Sequence, residues 1–273
     1  NLDSAIIFSD ILMVPYALGQ EVNFIKEQGP VLEEFNKEIF LKNNKKSFTK
    51  KLQPVYEAIK KSREKLNNDK SLIGFIGAPW TLLVYMLNIK LKKNELDYDK
   101  VKSRKDEVKL ILDKLNDYLC IHIENQIDAG ADVIQIFDSW AGLIKSDDFS
   151  EYCIVPNSKI VDFCRKKKIP VICFPRGIGK RYKDFNNNVK PNGISIDYEI
   201  EPNWAKTNLK NVVIQGGLAP KILLGSEDKI IVNAKKYLDV FNNLPYIFNL
   251  GHGLLPETDP DKVKRLIKFY REY

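Results

Sequence analysis

The sequence is poor in the residues and motifs that mark several common protein classes. It has 2 His and 4 Cys, and no two of the cysteines form a C-x-x-C pair, so neither a zinc finger nor a thioredoxin-type site is indicated. No apolar run approaches the ~20 residues of a membrane span, and no secretory signal peptide is recognisable. No G-x-G-x-x-G follows the first predicted strand, which argues against a dinucleotide-binding fold. We therefore expect a cytoplasmic protein with reduced thiols, no metal and no membrane contact.

The charge balance is basic. Lys and Arg number 43 against 36 Asp and Glu, a net charge of +7, which suits an anionic small molecule or a nucleic acid. The lysines, however, are spread along predicted helices, as in Lys42–Lys51 and Lys90–Lys93. Such runs are typical of solvated helix faces, so we expect no nucleic-acid partner.

Length and composition favour one large domain. A chain of 273 residues with 44% hydrophobic content can bury a sizeable core. No linker, repeat or low-complexity segment divides it, so residues 1–273 are predicted to form a single domain. Asn1-Leu2-Asp3-Ser4 leads straight into the first predicted strand, with no initiator Met and no preceding cap or helix; we expect an N-terminal segment to be missing.

Short apolar runs alternate with helical patterns. The runs have the length and the Ile, Val and Phe content of buried parallel strands. They are Ala5–Asp10, Leu72–Pro79, Asp132–Asp138, Pro170–Pro175, Gly193–Tyr198, Val212–Gly217 and Tyr246–Gly253. The clearest helix is Asp106–Ala129, which has one apolar stripe and a stop at Gly130.

Alternating strands and helices predict a parallel α/β fold, either an open doubly wound sheet or a closed barrel. We favour a (β/α)8 TIM barrel. Seven strands are evident, and the eighth is expected to be irregular or to lie within Val22–Phe35, where Gly29-Pro30 suggests a hairpin turn.

Polar residues cluster where the predicted strands end. In a barrel these ends share one face, where catalytic side chains collect. The residues are Ser9 and Asp10, Thr81 with Tyr85 one turn later, Asp138 and Ser139, Arg176, Asp197, Gln215, and Asn249 with His252. Their convergence predicts an active site.

Several of these residues also have a structural interpretation. Asp10, Asp138 and Ser139 are suited to capping the turns or helices that follow them. Arg176 is suited to bridging neighbouring loops, and Tyr85 to core packing. His252 is harder to assign to structure, because the glycines on both sides indicate backbone crowded against something. His122 instead lies in an apolar stripe, as a core histidine does, and is assigned to the core.

Five segments together resemble the uroporphyrinogen decarboxylase family. The distinctive motifs within them are FSDIL, GAPWTL, FDSWAG and NLGHG. The segments are Leu2–Gly19, Leu72–Met86, Gln126–Gly142, Phe174–Gly179 and Tyr246–Val263, in the family's order.

The resemblance implies a (β/α)8 barrel, a homodimer and a cofactor-free carboxy-lyase of haem biosynthesis. Its substrate would be uroporphyrinogen III, whose four acetate side chains lose their carboxyl groups to give coproporphyrinogen III. The resemblance places Asp10 at the pyrrole N–H groups, as the catalytic residue. It places Tyr85, Ser139 and His252 in contact with the substrate.

The sequence departs from the family pattern at three places. An arginine-bearing N-terminal segment is expected to precede Asn1. Gly217 and Ala219 stand where an Asn and an Asp are common, and Tyr16 stands where an acidic residue is common.

Two other functions compete with this one. A cobalamin- or thiol-linked methyltransferase would need a His-x-Cys pair and a later Cys as zinc ligands; here all four cysteines precede His252. A degenerate tetrapyrrole-binding protein would use the same cleft without turnover.

Overall fold

The computed structural model describes residues 2–26, 29–92 and 95–273. Parts of three expectations lie outside these residues: Asn1 at the chain start, Glu27 and Gln28 within Val22–Phe35, and Lys93 of the lysine run. The strands in chain order are β1 (Ser4–Ile6), β2 (Val22–Ile25), β3 (Gly29–Leu32), β4 (Ser71–Gly77), β5 (Lys90–Lys92), β6 (Glu95–Leu96), β7 (Val133–Asp138), β8 (Val171–Pro175), β9 (Gly193–Ile196), β10 (Val213–Gly216) and β11 (Tyr246–Ile247).

Helices connect the strands and cover the sheet. They are α1 (Met13–Ala17), α2 (Lys37–Lys42), α3 (Lys45–Lys65), α4 (Pro79–Met86), α5 (Tyr98–Ser103), α6 (Lys105–Asp128), α7 (Val155–Lys166), α8 (Tyr182–Val189), α9 (Pro202–Asn208), α10 (Glu227–Phe241) and α11 (Pro260–Glu272). A π-helical turn, Ser150–Ile154, leads into α7. The long helix predicted at Asp106–Ala129 is confirmed as α6, which Gly130 terminates with a φ of +110°.

Seven strands form one parallel sheet in the order β1-β4-β7-β8-β9-β10-β11. Each predicted strand run overlaps one of them, so the parallel α/β interpretation is confirmed. The sheet is curled: Gln135 on β7 and Gln215 on β10 meet at 3.4 Å although two strands lie between them. Arg271, at the end of α11, reaches Asp3 beside β1 at 2.6 Å.

The described part of the chain shows no pairing between β1 and β11, the two edge strands. It therefore shows a seven-stranded curled sheet rather than a closed eight-stranded barrel. The prediction that the first run is buried is wrong, because β1 is an edge strand. Ile6 and Phe8 are 45% and 79% exposed.

The segment Val22–Phe35 does form a hairpin, in which β2 pairs antiparallel with β3. It is a separate two-stranded sheet, so it does not supply an eighth barrel strand. The predicted turn at Gly29-Pro30 is displaced, because both residues begin β3 and pair with Ile25 and Phe24. A second hairpin, β5 with β6, was not predicted; its strands are only two or three residues long.

The core lies between the sheet and its helices. His122 on α6 is 3% exposed, and its Nδ1 shares a hydrogen bond of 3.0 Å with the Tyr56 hydroxyl on α3. This agrees with the structural role predicted for His122. The four cysteines are free thiols, three of them buried. Within the described ranges, no helix combines the length and apolar character needed to cross a membrane.

Candidate active site

Two adjoining cavities open at the carboxyl ends of the strands. The first, of about 600 Å3, contains Asp10 and Tyr85. The second, of about 490 Å3, contains Arg176 and Asp197. Ser139 and Lys90 line both cavities, so the two form one cleft. The predicted face of the sheet thus carries a site, as the position of strand ends in such folds requires.

Asp10 follows β1 in a left-handed backbone conformation, with a φ of +43°. Asp is among the few side chains that tolerate this region. Its Oδ1 accepts a hydrogen bond of 2.8 Å from the Leu12 backbone N–H. The capping role and the cleft position predicted for Asp10 therefore coincide: one oxygen fixes the turn, and the carboxylate borders the first cavity.

A row of phenylalanines forms the apolar wall beside Asp10. Phe8 stacks on Phe75 with ring centroids 6.0 Å apart, and Phe75 meets Phe137 edge-to-face at 5.8 Å. Phe174 continues the row at 6.3 Å from Phe137. Phe8 follows the first strand of the sheet, and the other three lie on its second, third and fourth strands, so neighbouring strands present a continuous aromatic surface. Sequence reasoning missed this wall, because a Phe in a buried strand is usually core.

Tyr85 lies on α4, one turn after Thr81. Its ring meets the Trp140 ring edge-to-face at 6.1 Å. Burial raises the pKa of the Tyr85 hydroxyl, the Trp140 side chain opposes this rise, and the negative charge of Asp10 adds to it. Tyr85 is therefore a protonated hydrogen-bond donor at neutral pH, directed to the same cavity as Asp10.

Ser139 stands where β7 ends, and the residue before it is buried. Asp138 is 1% exposed and accepts a hydrogen bond of 2.7 Å from the Thr81 hydroxyl. Burial raises the pKa of Asp138 to about 6, and hydrogen bonds from Thr81, Asn157 and Cys153 oppose the rise. The capping role considered for Asp138 from the sequence is wrong, because its side chain points inward to these partners and does not cap the following turn.

The second cavity is rich in charged groups. The Lys90 Nζ lies over the Trp140 ring, 4.8 Å from its centroid. Arg176 and Glu199 border the same space. Lys90 was not singled out from the sequence; it lies in a lysine run and reaches the cleft only through the unpredicted β5–β6 hairpin.

Asp197 and Gln215 have structural partners. Asp197 is 3% exposed; its Oδ2 accepts bonds from the Gly177 N–H at 2.8 Å and the Tyr182 hydroxyl at 3.2 Å. It thereby ties together the loops that follow β8 and β9. Gln215 lies inside the curled sheet, where its amide approaches Gln135 and Ser195, each at 3.4 Å.

His252 lies beside the cleft rather than within the two cavities. It is an exposed residue in the loop after β11. Partial burial lowers its imidazole pKa, and the positive charge of Arg176 lowers it further. The backbone crowding predicted around His252 is found at Gly251 but not at Gly253. A Cβ on Gly251 would lie 2.6 Å from the Tyr198 nitrogen, whereas one on Gly253 would meet no atom within 4 Å.

Comparison with known proteins decides the family. The model of the family described as "Uroporphyrinogen decarboxylase (URO-D)" matches residues 1–273. The chain belongs to the uroporphyrinogen decarboxylase family. The uroporphyrinogen decarboxylase of Orientia tsutsugamushi (strain Ikeda) is 43% identical over 279 residues, which cover 100% of this chain and 81% of that protein. The protein of that name from Wolbachia pipientis wMel is 39% identical and covers 100% and 80%.

Among solved structures, a methyltransferase from Methanosarcina mazei is similar with a TM-score of 0.81. The match covers 99% of this chain and 80% of that one, at 21% sequence identity. At this identity the likeness shows a shared fold and carries no argument about the reaction.

The structure gives a physical reason for one departure from the uroporphyrinogen decarboxylase pattern. Gly217 has a φ of +98°, and a Cβ there would lie 2.5 Å from the Tyr237 ring. The Tyr237 hydroxyl also donates to the Gly217 carbonyl at 2.7 Å. Gly217 is therefore fixed by its packing against Tyr237. Nothing in the structure explains Ala219, and Tyr16 packs beneath the Lys51 ammonium group, 5.0 Å from its ring centroid.

Proposed function

We infer that this chain is a uroporphyrinogen decarboxylase, a carboxy-lyase of haem biosynthesis. It removes the carboxyl groups of the four acetate side chains of uroporphyrinogen III and yields coproporphyrinogen III. The family match over residues 1–273 and the relatives of that name at 39–43% identity support this function.

The observation that carries the proposal is the division of the cleft. The first cavity presents a carboxylate, Asp10, against an aromatic wall. The adjoining cavity presents two cations, Lys90 and Arg176, beside Glu199 and the Asp197 carboxylate that Gly177 and Tyr182 already bind. A porphyrinogen has the complementary chemistry, because its apolar macrocycle carries pyrrole N–H donors at the centre and carboxylates at the rim.

We propose Asp10 as the catalytic residue and as the ligand of the pyrrole N–H groups. A carboxylate has several lone pairs and accepts more than one N–H donor at once. Tyr85 and Ser139, which line the same cavity, are proposed to donate hydrogen bonds to substrate carboxylates. His252 is proposed to join them from its loop beside Arg176 when substrate fills the cleft.

The reaction explains why a fixed carboxylate is useful. Protonation of a pyrrole ring carbon gives a cationic ring that accepts the electron pair of the breaking C–C bond. Carbon dioxide leaves, the exocyclic carbon takes up a proton to become a methyl group, and the ring carbon gives its proton back. The balance is the replacement of one carboxylate by one proton, and the ring itself serves as the electron sink, so we expect no cofactor. Asp10 stabilises the cationic ring, more strongly in a desolvated cleft than in water.

We also make proposals about the closure of the fold, the cellular location and the oligomeric state. We propose that the curled sheet belongs to a closed eight-stranded barrel in a single domain, since its curl brings Gln135 on β7 within 3.4 Å of Gln215 on β10 and Arg271 on α11 reaches Asp3 beside β1. We also propose that the enzyme acts in the cytoplasm as a homodimer. Exposed apolar side chains on the two hairpins, Phe24 at 83% and Leu91 at 58%, support self-association.

The test is an anaerobic incubation with uroporphyrinogen III, followed by chromatography of the oxidised porphyrins. We expect products with seven, six, five and four carboxyl groups. Unchanged octacarboxylate would contradict the proposal for the chain as given. Under that outcome, adding the N-terminal residues of the Orientia tsutsugamushi relative in front of the chain separates two cases: turnover appears in a decarboxylase and stays absent in a degenerate binding protein.

A further inference from the structure

We propose that Asp138 is a positioning residue, whose buried carboxylate holds Ser139 and Tyr85 in the geometry that the reaction needs. This inference rests on the proposed function. Asp138 itself lines neither cavity, so it acts through the residues it holds and not on the substrate.

Hydrogen-bond donors approach both oxygens of this carboxylate. The Thr81 hydroxyl on α4 donates to Oδ1 at 2.7 Å. The Asn157 amide on α7 donates to Oδ2 at 3.3 Å, and the Cys153 thiol on the π-helical turn lies 3.7 Å from the same oxygen. Three separate elements are thus joined to the end of β7 through one side chain.

The carboxylate is connected to two cleft residues, Ser139 through the chain and Tyr85 through Thr81. Ser139 is the next residue in the chain and lines both cavities. Thr81 also accepts a bond of 3.2 Å from the Trp140 backbone N–H, and it stands one helical turn before Tyr85 on α4. The Asp138 carbonyl accepts a bond of 3.1 Å from the Arg176 backbone N–H. The Asp138 carboxylate therefore positions the end of β7 against α4, whereas the backbone bond to Arg176 is independent of the side chain.

The arrangement requires an acceptor at both oxygens. An Asn side chain at position 138 would turn an N–H group either toward the donors of Asn157 and Cys153 or toward the Thr81 hydroxyl. In either orientation a buried donor is left without an acceptor, which weakens the whole network. An Asp→Asn change at position 138 thus preserves the shape of the side chain but removes one of its two hydrogen-bond acceptors.

Asp138 is the group of this network whose charge changes near neutral pH. The titratable groups that face Asp138 are Cys153, from the π-helical turn, and Cys173, from β8; burial raises the pKa of both thiols well above the usual range, so they stay neutral. Thr81 and Asn157, from α4 and α7, do not titrate. The pKa of Asp138 is about 6, so the carboxylate is lost as the pH falls through that value. We expect kcat of the native enzyme to fall with it.

The first experiment compares Asp138→Asn with the native enzyme in steady-state kinetics across pH. The expected result is a kcat lower by about ten- to a hundredfold at neutral pH, since small misplacements of reacting groups have effects of that size. The fall of kcat near pH 6 should disappear in the variant. A native kcat and an unchanged acid limb in Asp138→Asn would overturn the inference.

A second set of variants separates positioning from stability. Thr81→Val removes the hydroxyl at constant size, whereas Thr81→Ser keeps the hydroxyl and loses a methyl group. We expect kcat to follow the hydroxyl, with a much larger loss in Thr81→Val, even where Thr81→Ser is the less stable protein. Val108→Ala, a core truncation on α6, is the control for a loss of stability alone. Equal losses of kcat in both Thr81 variants, tracking their stability, would reduce Asp138 to a structural residue.

A measurement without substrate keeps this test independent of the proposed reaction. Amide hydrogen exchange at Trp140 reports on its bond to the Thr81 hydroxyl, and exchange at Arg176 reports on its bond to the Asp138 backbone carbonyl, which the Asp138→Asn change leaves in place. The Trp140 amide should exchange faster in Asp138→Asn and in Thr81→Val but not in Thr81→Ser, whereas the Arg176 amide is the internal control and should keep its exchange rate. Unchanged exchange at Trp140 would overturn the positioning role, whereas inactivity of the native chain with the expected exchange pattern would contradict only the proposed function.

Discussion

Asp10 combines a structural and a chemical task in one side chain. Its backbone is left-handed, and its Oδ1 fixes the turn into α1 through Leu12. Residues held in such sparsely populated conformations concentrate at functional sites, where the surrounding structure fixes them. The strain at Asp10 is consistent with the role proposed for its carboxylate.

We predict that Asp10→Asn abolishes turnover while the fold remains intact. Asn tolerates the left-handed region and keeps an acceptor for the Leu12 N–H, so only the negative charge is lost. Asp10→Ala should be equally inactive and in addition lose about 1 kcal/mol of stability for its positive φ. Product formation is measured by porphyrin chromatography and stability by urea denaturation. Near-normal product formation by Asp10→Asn would remove the catalytic role, and His252→Asn should lose less activity than either.

Lys90 is predicted to bind a substrate carboxylate. Lys90→Met keeps much of the side-chain length above Trp140 but removes the charge, so we expect KM to rise about three- to tenfold with a smaller change in kcat. Lys235→Met is the matched control, since Lys235 on α10 lies 5.9 Å from the Phe269 ring centroid, outside the cleft. Steady-state kinetics with both variants decides. A similar KM for Lys90→Met and Lys235→Met would show that substrate binding depends on the net charge of the protein and not on Lys90.

At the scale of elements, α6 shows what the spacing of apolar residues predicts about a helix and what it does not. Val108, Ile111, Leu115 and Leu119 recur at helical spacing and are all buried. The pattern also assigned His122 to the core correctly. It contained no information about Tyr56, because the partner comes from α3, 66 residues earlier.

The burial of His122 predicts an acid-sensitive contact between α3 and α6. Its pKa is about 3 in the folded protein against 6.5 in the unfolded chain, because burial disfavours the charged ring. The unfolded state therefore binds the extra proton between these values. The stabilisation is complete above pH 6.5 and is lost as the pH falls, by about 2 kcal/mol at pH 5.

His122→Gln should remove this pH dependence while keeping a polar partner for Tyr56. The measurement is urea denaturation of both proteins at several pH values from 5 to 8, with the difference in unfolding free energy as the result. The native protein should lose more stability than the variant on acidification. Parallel curves would show that His122 is not the group responsible.

At the scale of the whole molecule, the curled sheet determines what each strand end contributes. Consecutive strands bring Asp10, Tyr85 and Ser139 to one cavity, although 129 sequence positions separate the first from the last. The two hairpins complete the rim: Pro30 from β3 and Lys90 from β5 both line that cavity.

The proposed homodimer gives a prediction at this scale. Exposed apolar side chains on the hairpins would be covered by association. Sedimentation equilibrium at micromolar concentration should give twice the 31.5 kDa of one chain. A mass of one chain at all concentrations would contradict the dimer without affecting the assignment of the reaction.

The sequence by itself determined the parallel α/β class, the seven strand positions, the long helix α6 and the approach of Asp10, Tyr85 and Ser139. These follow from local periodicity and from the rule that parallel strands end on one side. Only the tertiary structure decided that β1 is an exposed edge, that Lys90 enters the cleft and that His252 stays beside it. Only the structure, likewise, revealed the network of Asp138. The physical reason is that edge position, hairpin packing and hydrogen-bond partners depend on residues far apart in the chain, which no local pattern specifies.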